Sequence, residues 1–236
     1  MNQLFLFTLL QIQQAEGTVE AVVNTAPQDE ELRLWDLMLT GGPIMIPIGL
    51  MLIFAIYLMT ERYLNIKRAG KLDPNFMATI KDMVLNDNIA GAQKLCEKTD
   101  SPAARMVAKG ISRIGRPLND ISAAVENTGK LEIYKLEKRM PFLATIAGAA
   151  PMLGFLGTVT GMILTFHSLA LAGDSVTPGD LSSGLYQAMV TTVAGLIVGI
   201  LAYLGYNLLT GMIEKVIYKM EVASVEFLDL LQQPAE

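Results

Sequence analysis

Apolar residues run in three long stretches of the chain, each bounded by charged or helix-breaking residues. The stretches cover Gly42 to Thr60, Phe142 to Ala172 and Leu181 to Ile213. An α-helix needs about 20 apolar residues to cross a bilayer, so each stretch predicts one membrane span. The second and third exceed that length, which predicts rigid helices that extend into the cytoplasm. No long segment alternates with period two. The pattern predicts an all-α membrane protein with three transmembrane helices.

The polar segment between the first two spans predicts a helical insert. Asp73-Pro74, Asp87-Asn88 and Ser101-Pro102 each have the residue types that begin a helix. Asn119 is expected to begin a fourth helix that runs into the second span, with bends at Pro141 and Pro151. Beyond the third span, a largely apolar 4–3 rhythm predicts an amphipathic helix with a packing face. Its residues are Ile213, Ile217, Met220, Ser224, Phe227 and Leu231.

Lysine and arginine are concentrated between Glu61 and Met140, whereas the first 40 residues contain only Arg33 among six acidic residues. The short loop after the second span has Asp174 and Asp180 and no basic residue. Cytoplasmic loops carry the excess of basic residues, so the insert and the C-terminal tail are predicted to be cytoplasmic. The N-terminus and the short loop are predicted to lie outside.

These patterns divide the chain into seven predicted segments. They are an external N-terminal segment with an amphipathic helix (1–40), the first span (41–62), the cytoplasmic helical domain (63–141), the second span (142–172), an external loop (173–181), the third span (182–213) and a cytoplasmic C-terminal helix (214–236).

The first residues, "MNQLFLFTLLQIQQAEG", have a short apolar core like that of a signal peptide. They lack basic residues before that core and an A-x-A cleavage site, which favours an uncleaved interfacial segment over a cleaved leader. The single cysteine, Cys96, excludes an intrachain disulfide. It lies in the predicted cytoplasmic part, where a reduced, buried thiol is expected.

Small and hydroxyl residues interrupt the apolar sequence of the second and third spans. Small residues let membrane helices approach closely, and helical spacing predicts a packing role for Pro151, Gly154, Gly157, Gly161, Gly195 and Gly199. Threonines share or border these faces. A single threonine hydroxyl often bonds its own backbone, but several on adjacent overlong helices predict a wall that faces a polar group. The residues of this wall are Thr158, Thr165, Thr191 and Thr192.

Ionisable groups are nearly absent from the spans, which hold His167 and no carboxylate. An ionisable residue within a span normally marks an ion site. For His167, near the outer end, a partner-bonded or interfacial role is favoured over a proton relay. A titrating group is therefore expected to come from another chain.

The stretch "APMLGFLGTVTGM", followed by "LYQAMVTTVAGLIVGI", resembles the MotA/TolQ/ExbB proton-channel family. The shared pattern is A-P-x-x-G-x-x-G-T-V-x-G in one helix and T-x-x-G-L in the next. Three spans and a modest insert resemble the ExbB and TolQ branch, since MotA-type proteins have four spans. The resemblance implies that Thr158 and Thr192 line a pore. Gln187 stands where ExbB relatives often have Glu, so it is predicted to position polar groups at the pore mouth without carrying a proton.

The resemblance also implies partners and a location. Such subunits form a pentamer around a dimer of single-span ExbD-like or TolR-like partners, each with an essential Asp, and no cofactor is implied. The location implied is the bacterial inner membrane, with the N-terminus periplasmic and the C-terminus cytoplasmic. An ExbB-like motor that works with a TonB-like protein in outer-membrane import is the main hypothesis. A TolQ-like role in envelope maintenance is the alternative.

Other function classes have weaker support in the residues. An intramembrane protease needs a Ser/His pair, two Asp residues or H-E-x-x-H within the membrane, and the spans offer only the adjacent His167 and Ser168. A structural scaffold explains the glycines but leaves the threonine wall unexplained. Nucleic-acid binding is not indicated, because topology accounts for a basic insert that also contains acidic residues. The partners expected are protein chains and membrane lipids.

Overall fold

The computed structural model of the protein describes residues 41–172 and 178–232, which form seven helices joined by turns. The helices are α1 (Met45–Ala69), α2 (Phe76–Leu85), α3 (Ile89–Lys98), α4 (Pro102–Ile111), α5 (Leu118–Glu137), α6 (Met140–Ala172) and α7 (Pro178–Gln232). The predicted N-terminal segment with its amphipathic helix, loop residues 173–177 and the last four residues lie outside this description.

Three membrane spans are confirmed by length and composition. Helical stretches of 25, 54 and 52 residues, which lie within α1, α5–α6 and α7, are long and apolar enough to cross a bilayer. Large apolar side chains are exposed on the spans, such as Ile53 at 68%, Met152 at 73% and Met189 at 67%. Apolar surface of this extent fits contact with lipid or with another membrane helix. The chain is therefore a multi-pass α-helical membrane protein.

Of the first two helix starts predicted in the insert, one is confirmed and the other is displaced. Asn88 Oδ1 accepts a hydrogen bond from the Gly91 amide at 3.0 Å, which confirms it as the N-cap of α3. Asp73 is the predicted start of α2, but Asn75 is the N-cap residue. The Asp73 carboxylate accepts a hydrogen bond from the Asn75 amide at 2.9 Å. Asp73 therefore closes the turn before the helix, because an aspartate can bond the backbone two residues ahead as readily as it caps.

The remaining helix starts lie close to their predicted positions. Ser101 Oγ accepts from the Ala104 amide at 3.1 Å, and Pro102 occupies the first turn, so the predicted start of α4 is confirmed. The fourth helix, α5, begins at Leu118, one residue before the predicted Asn119.

The long helices differ from the predicted ones in two places: a short break separates α5 from α6, and α7 is continuous from the predicted loop to the C-terminal segment. Only Lys138 and Arg139 separate α5 from α6, whereas Pro151 lies inside α6 without ending it. α7 begins at Pro178, within the predicted loop, and continues as one helix of 55 residues through the predicted third span and C-terminal segment. A single helix therefore joins the membrane part to the helices of the insert.

The core of the insert forms around the distal half of α7. Its buried stripe contains Ile213, Val216, Met220, Ala223, Phe227 and Leu230. Of the predicted stripe, Ile213, Met220 and Phe227 are buried, and the other three are half-buried. Gly110 of α4 makes room for the Phe227 ring, since a Cβ there would lie 3.0 Å from Phe227 Cδ1.

The buried thiol of Cys96 gives a first prediction. Burial, with a further effect from the negative charge of Glu97, raises the pKa of Cys96 to about 11. At pH 7.5 only about three thiols in ten thousand are then ionised, and the thiolate is the reactive form. A maleimide should label Cys96 in the folded protein at least about a hundredfold more slowly than a cysteine at exposed Lys94, introduced in a Cys96→Ala background.

Unfolding in SDS should remove the difference between the two cysteines. Equal rates in the folded protein would contradict the burial of Cys96 between its neighbouring helices.

Candidate functional site

The closest contact between α6 and α7 joins their backbones at Gly154 and Gly195. A Cβ placed on Gly195 would lie 2.6 Å from the Ala150 carbonyl oxygen and 2.8 Å from Gly154 Cα. A Cβ on Gly154 would lie 2.9 Å from the Thr191 carbonyl oxygen. These distances leave no room for a side chain at either position, and the obstructing atoms are backbone atoms that cannot rotate away.

Other small residues extend this contact in both directions. A Cβ on Gly161 would lie 2.9 Å from the Ala188 methyl carbon, and one on Gly199 would lie 2.7 Å from Cδ of the Pro151 ring. Gly157 faces the Thr191 side chain. The residues predicted to pack thus all lie where α6 meets α7 of the same chain; they are Gly154, Gly157, Gly161, Gly195, Gly199 and Pro151. Their predicted contribution to a ring of subunits stays a prediction.

A side-chain hydrogen bond links the two helices at the centre of this contact. Thr192 Oγ1 donates a hydrogen bond of 3.0 Å to the carbonyl oxygen of Gly154. Thr158 lies four residues beyond Gly154, one turn along the same face of α6, and its hydroxyl donates to the Phe155 carbonyl at 2.6 Å. Both side chains are half-buried. We call Thr158 and Thr192 the hydroxyl pair.

The other two threonines of the predicted wall have a different environment. Thr165 and Thr191 are 7% and 2% exposed, between α6 and α7. Their hydroxyls donate to the Gly161 carbonyl at 2.8 Å and the Ala188 carbonyl at 2.7 Å. Each fills the space opposite a glycine, Thr165 against Gly184 and Thr191 against Gly157. This position gives both a packing role within the chain, and their pore-lining role stays a prediction.

The hydroxyl pair has a defined hydrogen-bonding character. A threonine hydroxyl has one hydrogen to donate and two lone pairs that accept. Both hydrogens are already donated to carbonyls of α6, so the atoms left for a visiting group are acceptors. A protonated carboxylic acid can donate to such an acceptor, whereas a carboxylate cannot. The pair in this arrangement is therefore complementary to the neutral form of an acid, or to water.

Gln187 lies on α7, next to the turn that precedes α1. Its side-chain amide occupies the space beside Gly42, whose φ of +71° favours glycine. The residue is half-buried, and its predicted role at a pore mouth stays a prediction. His167 is exposed near the end of α6.

One charged cluster is absent from the sequence-based predictions. Glu61, at the end of the first span, pairs with its neighbour Arg62 and with Arg139, from the break between α5 and α6. An adjacent Glu and Arg at one predicted membrane boundary, and an Arg at the next, are the signal that the sequence offers. The sequence does not indicate that these two boundaries are in contact, because Glu61 and Arg139 are far apart along the chain.

Comparisons with known proteins agree with this architecture. The model of the MotA/TolQ/ExbB proton channel family matches residues 98–222, which include the glycine contact and the hydroxyl pair. An ExbB-like biopolymer transport protein of Synechocystis sp. is 30% identical over 183 residues, covering 76% of this chain and 72% of that protein.

Shorter segments of the chain match proteins named ExbB and proteins named TolQ. The biopolymer transport protein ExbB of Aquifex aeolicus is 41% identical over 98 residues, which are 41% of this chain and 66% of that protein. The Tol-Pal system protein TolQ of Haemophilus influenzae is 39% identical over 79 residues, 34% of each chain.

The fold and the matched residues define a polytopic helical protein of the proton-channel class. The chain belongs to the MotA/TolQ/ExbB proton channel family.

The glycine contact predicts that a single methyl group destabilises the protein. Gly195→Ala should lower the free energy of unfolding by about 1–3 kcal/mol, because the new Cβ meets backbone atoms of α6 and the helices must separate. Gly211→Ala on the same helix is the matched control, since a Cβ there has no neighbour within 4 Å. That change should be neutral or stabilising by up to about 1 kcal/mol, the helix propensity of Ala over Gly.

Thermal unfolding of the two variants in mild detergent, followed by circular dichroism, measures the difference. Equal midpoints would show that α6 and α7 do not meet at Gly195.

Proposed function

We propose that this chain is an ExbB-like motor subunit, which with an ExbD-like partner converts the proton-motive force into mechanical work for TonB-dependent import across the outer membrane. The observation that carries the proposal is the hydroxyl pair on helices without charges. Residues 140–173 and 181–213 contain no Asp, Glu, Lys or Arg. Thr192 bonds α6 at the glycine contact, and Thr158 lies one turn further along α6. The family match and the ExbB names of relatives support the same conclusion.

The mechanism needs an acid from the partner. A proton crossing a membrane requires a group that binds and releases it, and the charge-free helices do not provide a carboxylate. An Asp on the partner's single span would be charged when it faces water. It would be neutral when it faces the hydroxyl pair, where its O–H could donate to Thr158 or Thr192. Protonation and release on opposite sides of the membrane would then drive stepwise movement of the partner.

The available energy makes coupling to movement reasonable. One elementary charge crossing the membrane gains about 2.3 kcal/mol per 100 mV. A partner step that breaks one or two hydrogen bonds, each contributing about 1 kcal/mol, lies within that range. The wall should therefore hold the acid weakly, and neutral hydroxyls suit this better than a fixed charge. Five copies in a ring around two partner helices, as the family resemblance implies, would provide repeated sites for rotation.

Orientation and location belong to the same proposal. The basic insert would be cytoplasmic and the N-terminus periplasmic, in the inner membrane of a bacterium. A TolQ-like role in the Tol-Pal system is the second candidate, favoured by the match to a TolQ protein. Identification of the single-span protein that co-purifies with this chain separates the two candidates.

Removing the hydroxyl pair should reduce coupled proton flux. Thr158→Val and Thr192→Val keep the side-chain shape and remove the acceptor, so each should lower flux about fivefold, the equivalent of one hydrogen bond of about 1 kcal/mol. The measurement is proton uptake by liposomes that contain this chain with its partner. Liposomes containing this chain alone should show no flux above the lipid background.

Thr160→Val is the matched control for Thr158→Val. Thr160 lies two residues away on the opposite side of α6, and its hydroxyl also bonds its own helix, with 2.9 Å to the Leu156 carbonyl. Flux should be unchanged in this variant. Full flux in the Thr158→Val/Thr192→Val double variant, or equal flux with and without the partner, would refute the mechanism.

The proposed orientation predicts which positions an impermeant thiol reagent reaches. In cells with a permeabilised outer membrane and a Cys96→Ala background, a cysteine at Asp174 should be labelled and one at Lys109 should not. Native Cys96 is unsuitable as the internal marker, because burial alone would protect it. Lys109 is exposed, so its protection would report the membrane barrier. Labelling at Lys109 before lysis would reverse the orientation.

A further inference from the structure

The charged cluster lies about two turns before the end of α1, beside the break between α5 and α6, and is built around a single carboxylate. Glu61 Oε1 accepts hydrogen bonds from Arg62 Nη2 at 2.7 Å and from Asn65 Nδ2 at 3.1 Å. Glu61 Oε2 forms an ion pair with Arg139 Nη1 at 2.6 Å. Two guanidinium groups thus share one acid, and this acid joins α1 to the two-residue break between α5 and α6.

The burial of the cluster makes Glu61 hard to replace. The Arg62 side chain is 9% exposed and that of Glu61 is 23% exposed. Exposed ion pairs contribute little to stability, but removal of one partner of a buried pair leaves a charge without compensation. Without Glu61, Arg62 would retain only a 3.5 Å contact with the Lys135 carbonyl oxygen. Arg139, 41% exposed, could instead turn toward water.

The cluster continues into the cytoplasmic helices through α5. Lys135 Nζ pairs with the buried carboxylate of Glu132 at 2.6 Å. Glu132 Oε2 in turn accepts from Arg105 Nε at 2.9 Å and Nη2 at 2.7 Å, which attaches α4 to α5. Polar contacts therefore connect α4, α5, α1 and the break before α6 in sequence.

Of the residues on this path, Arg139 alone lies outside a helix. Lys138 and Arg139 are outside the helices, so α5 and α6 could change their relative angle there. Thr158 lies 18 residues after Met140, about 27 Å along α6. A small tilt at the break would move Thr158 relative to Thr192 by a much larger distance than it moves Met140.

We propose that Glu61 is a positioning residue for the hydroxyl pair, a role that rests on the proposed channel function. By holding Arg139 against α1, it fixes the angle of α6 at the break. It thereby keeps Thr158 in register with Thr192 on α7. The same contact makes the cytoplasmic helices α4 and α5 part of the support of the channel wall.

The first test uses this chain alone, so that it is independent of proton flux. Glu61→Gln keeps the size of the side chain and removes its charge. Hydrogen exchange of the amides of residues 138–140 and 142 should become at least about tenfold faster. Spin labels at exposed Met152 and Val193, in a Cys96→Ala background, should show a broader α6–α7 distance distribution. The control is Glu126→Gln, which breaks the exposed Glu126–Lys130 pair on α5 and should change neither measurement.

A charge exchange separates this role from a general structural one. Glu61→Arg and Arg139→Glu should each broaden the distance distribution, since each leaves like charges in contact. The double variant restores an acid between two guanidinium groups, with Glu at 139 facing Arg at 61 and 62. It should return the distribution and the exchange rates to within about twofold of the original chain.

Flux measurements then connect the position to the function. With the partner present, Glu61→Gln should lower proton flux several-fold, and the charge-exchanged double variant should recover it. Unchanged exchange and distances in Glu61→Gln, or a double variant no better than the single ones, would overturn the proposal. An altered distance with unaltered flux would also overturn it. If the original chain with its partner conducts no protons, the proposed function fails, and the distance measurements still decide whether Glu61 sets the register of α6.

Discussion

The contact between the backbones of Gly154 and Gly195 is the constraint on which the membrane part depends. In lipid, apolar side chains gain nothing by leaving the solvent, so helices associate through close packing and hydrogen bonds. The 2.6 Å from a Cβ position at Gly195 to the Ala150 carbonyl shows how little space remains. Such proximity increases the number of dispersion contacts along both helices. It also brings a side chain of one helix within reach of a carbonyl of the other.

The hydrogen bond from Thr192 to Gly154 follows from that proximity. A threonine side chain is short, so its hydroxyl reaches a neighbouring backbone only when the helices almost touch. In this position it donates its hydrogen to α6 and keeps its lone pairs for another donor. Packing and chemistry thus depend on the same residues. The glycines determine the distance between α6 and α7, and that distance determines which polar atoms are left for a partner. Thr191 and Thr165 show the other use of the same residue type, because they fill space opposite Gly157 and Gly184.

Much of this arrangement could be predicted from local patterns, and the remainder could not for a physical reason. Apolar run length predicted the three spans, and capping chemistry predicted the starts at Asn88 and Ser101. Helical periodicity placed glycines and threonines on common faces. It did not indicate that the glycine faces of α6 and α7 meet each other within one chain, since a periodic pattern describes a face and not its neighbour. The pairing of Glu61 with Arg139, 78 positions apart, is a tertiary fact of the same kind.

Charged and uncharged polar groups occupy different depths along the helices: the ion pairs lie at the predicted membrane boundary, and the hydroxyl pair lies within the charge-free spans. A fixed charge beside the hydroxyl pair would be expensive in lipid and would hold a visiting acid too firmly for it to leave. Glu61 is 23% exposed, so water is near enough to reduce that cost, yet Arg62 is buried enough to need its acid. Directional ionic contacts therefore belong at the boundary, where they set the angles of helices whose middle parts must stay neutral. In the proposed arrangement the glycine contact sets the distance between α6 and α7, and Glu61 adds to it by fixing the angle at which α6 begins, about 27 Å along the helix from Thr158.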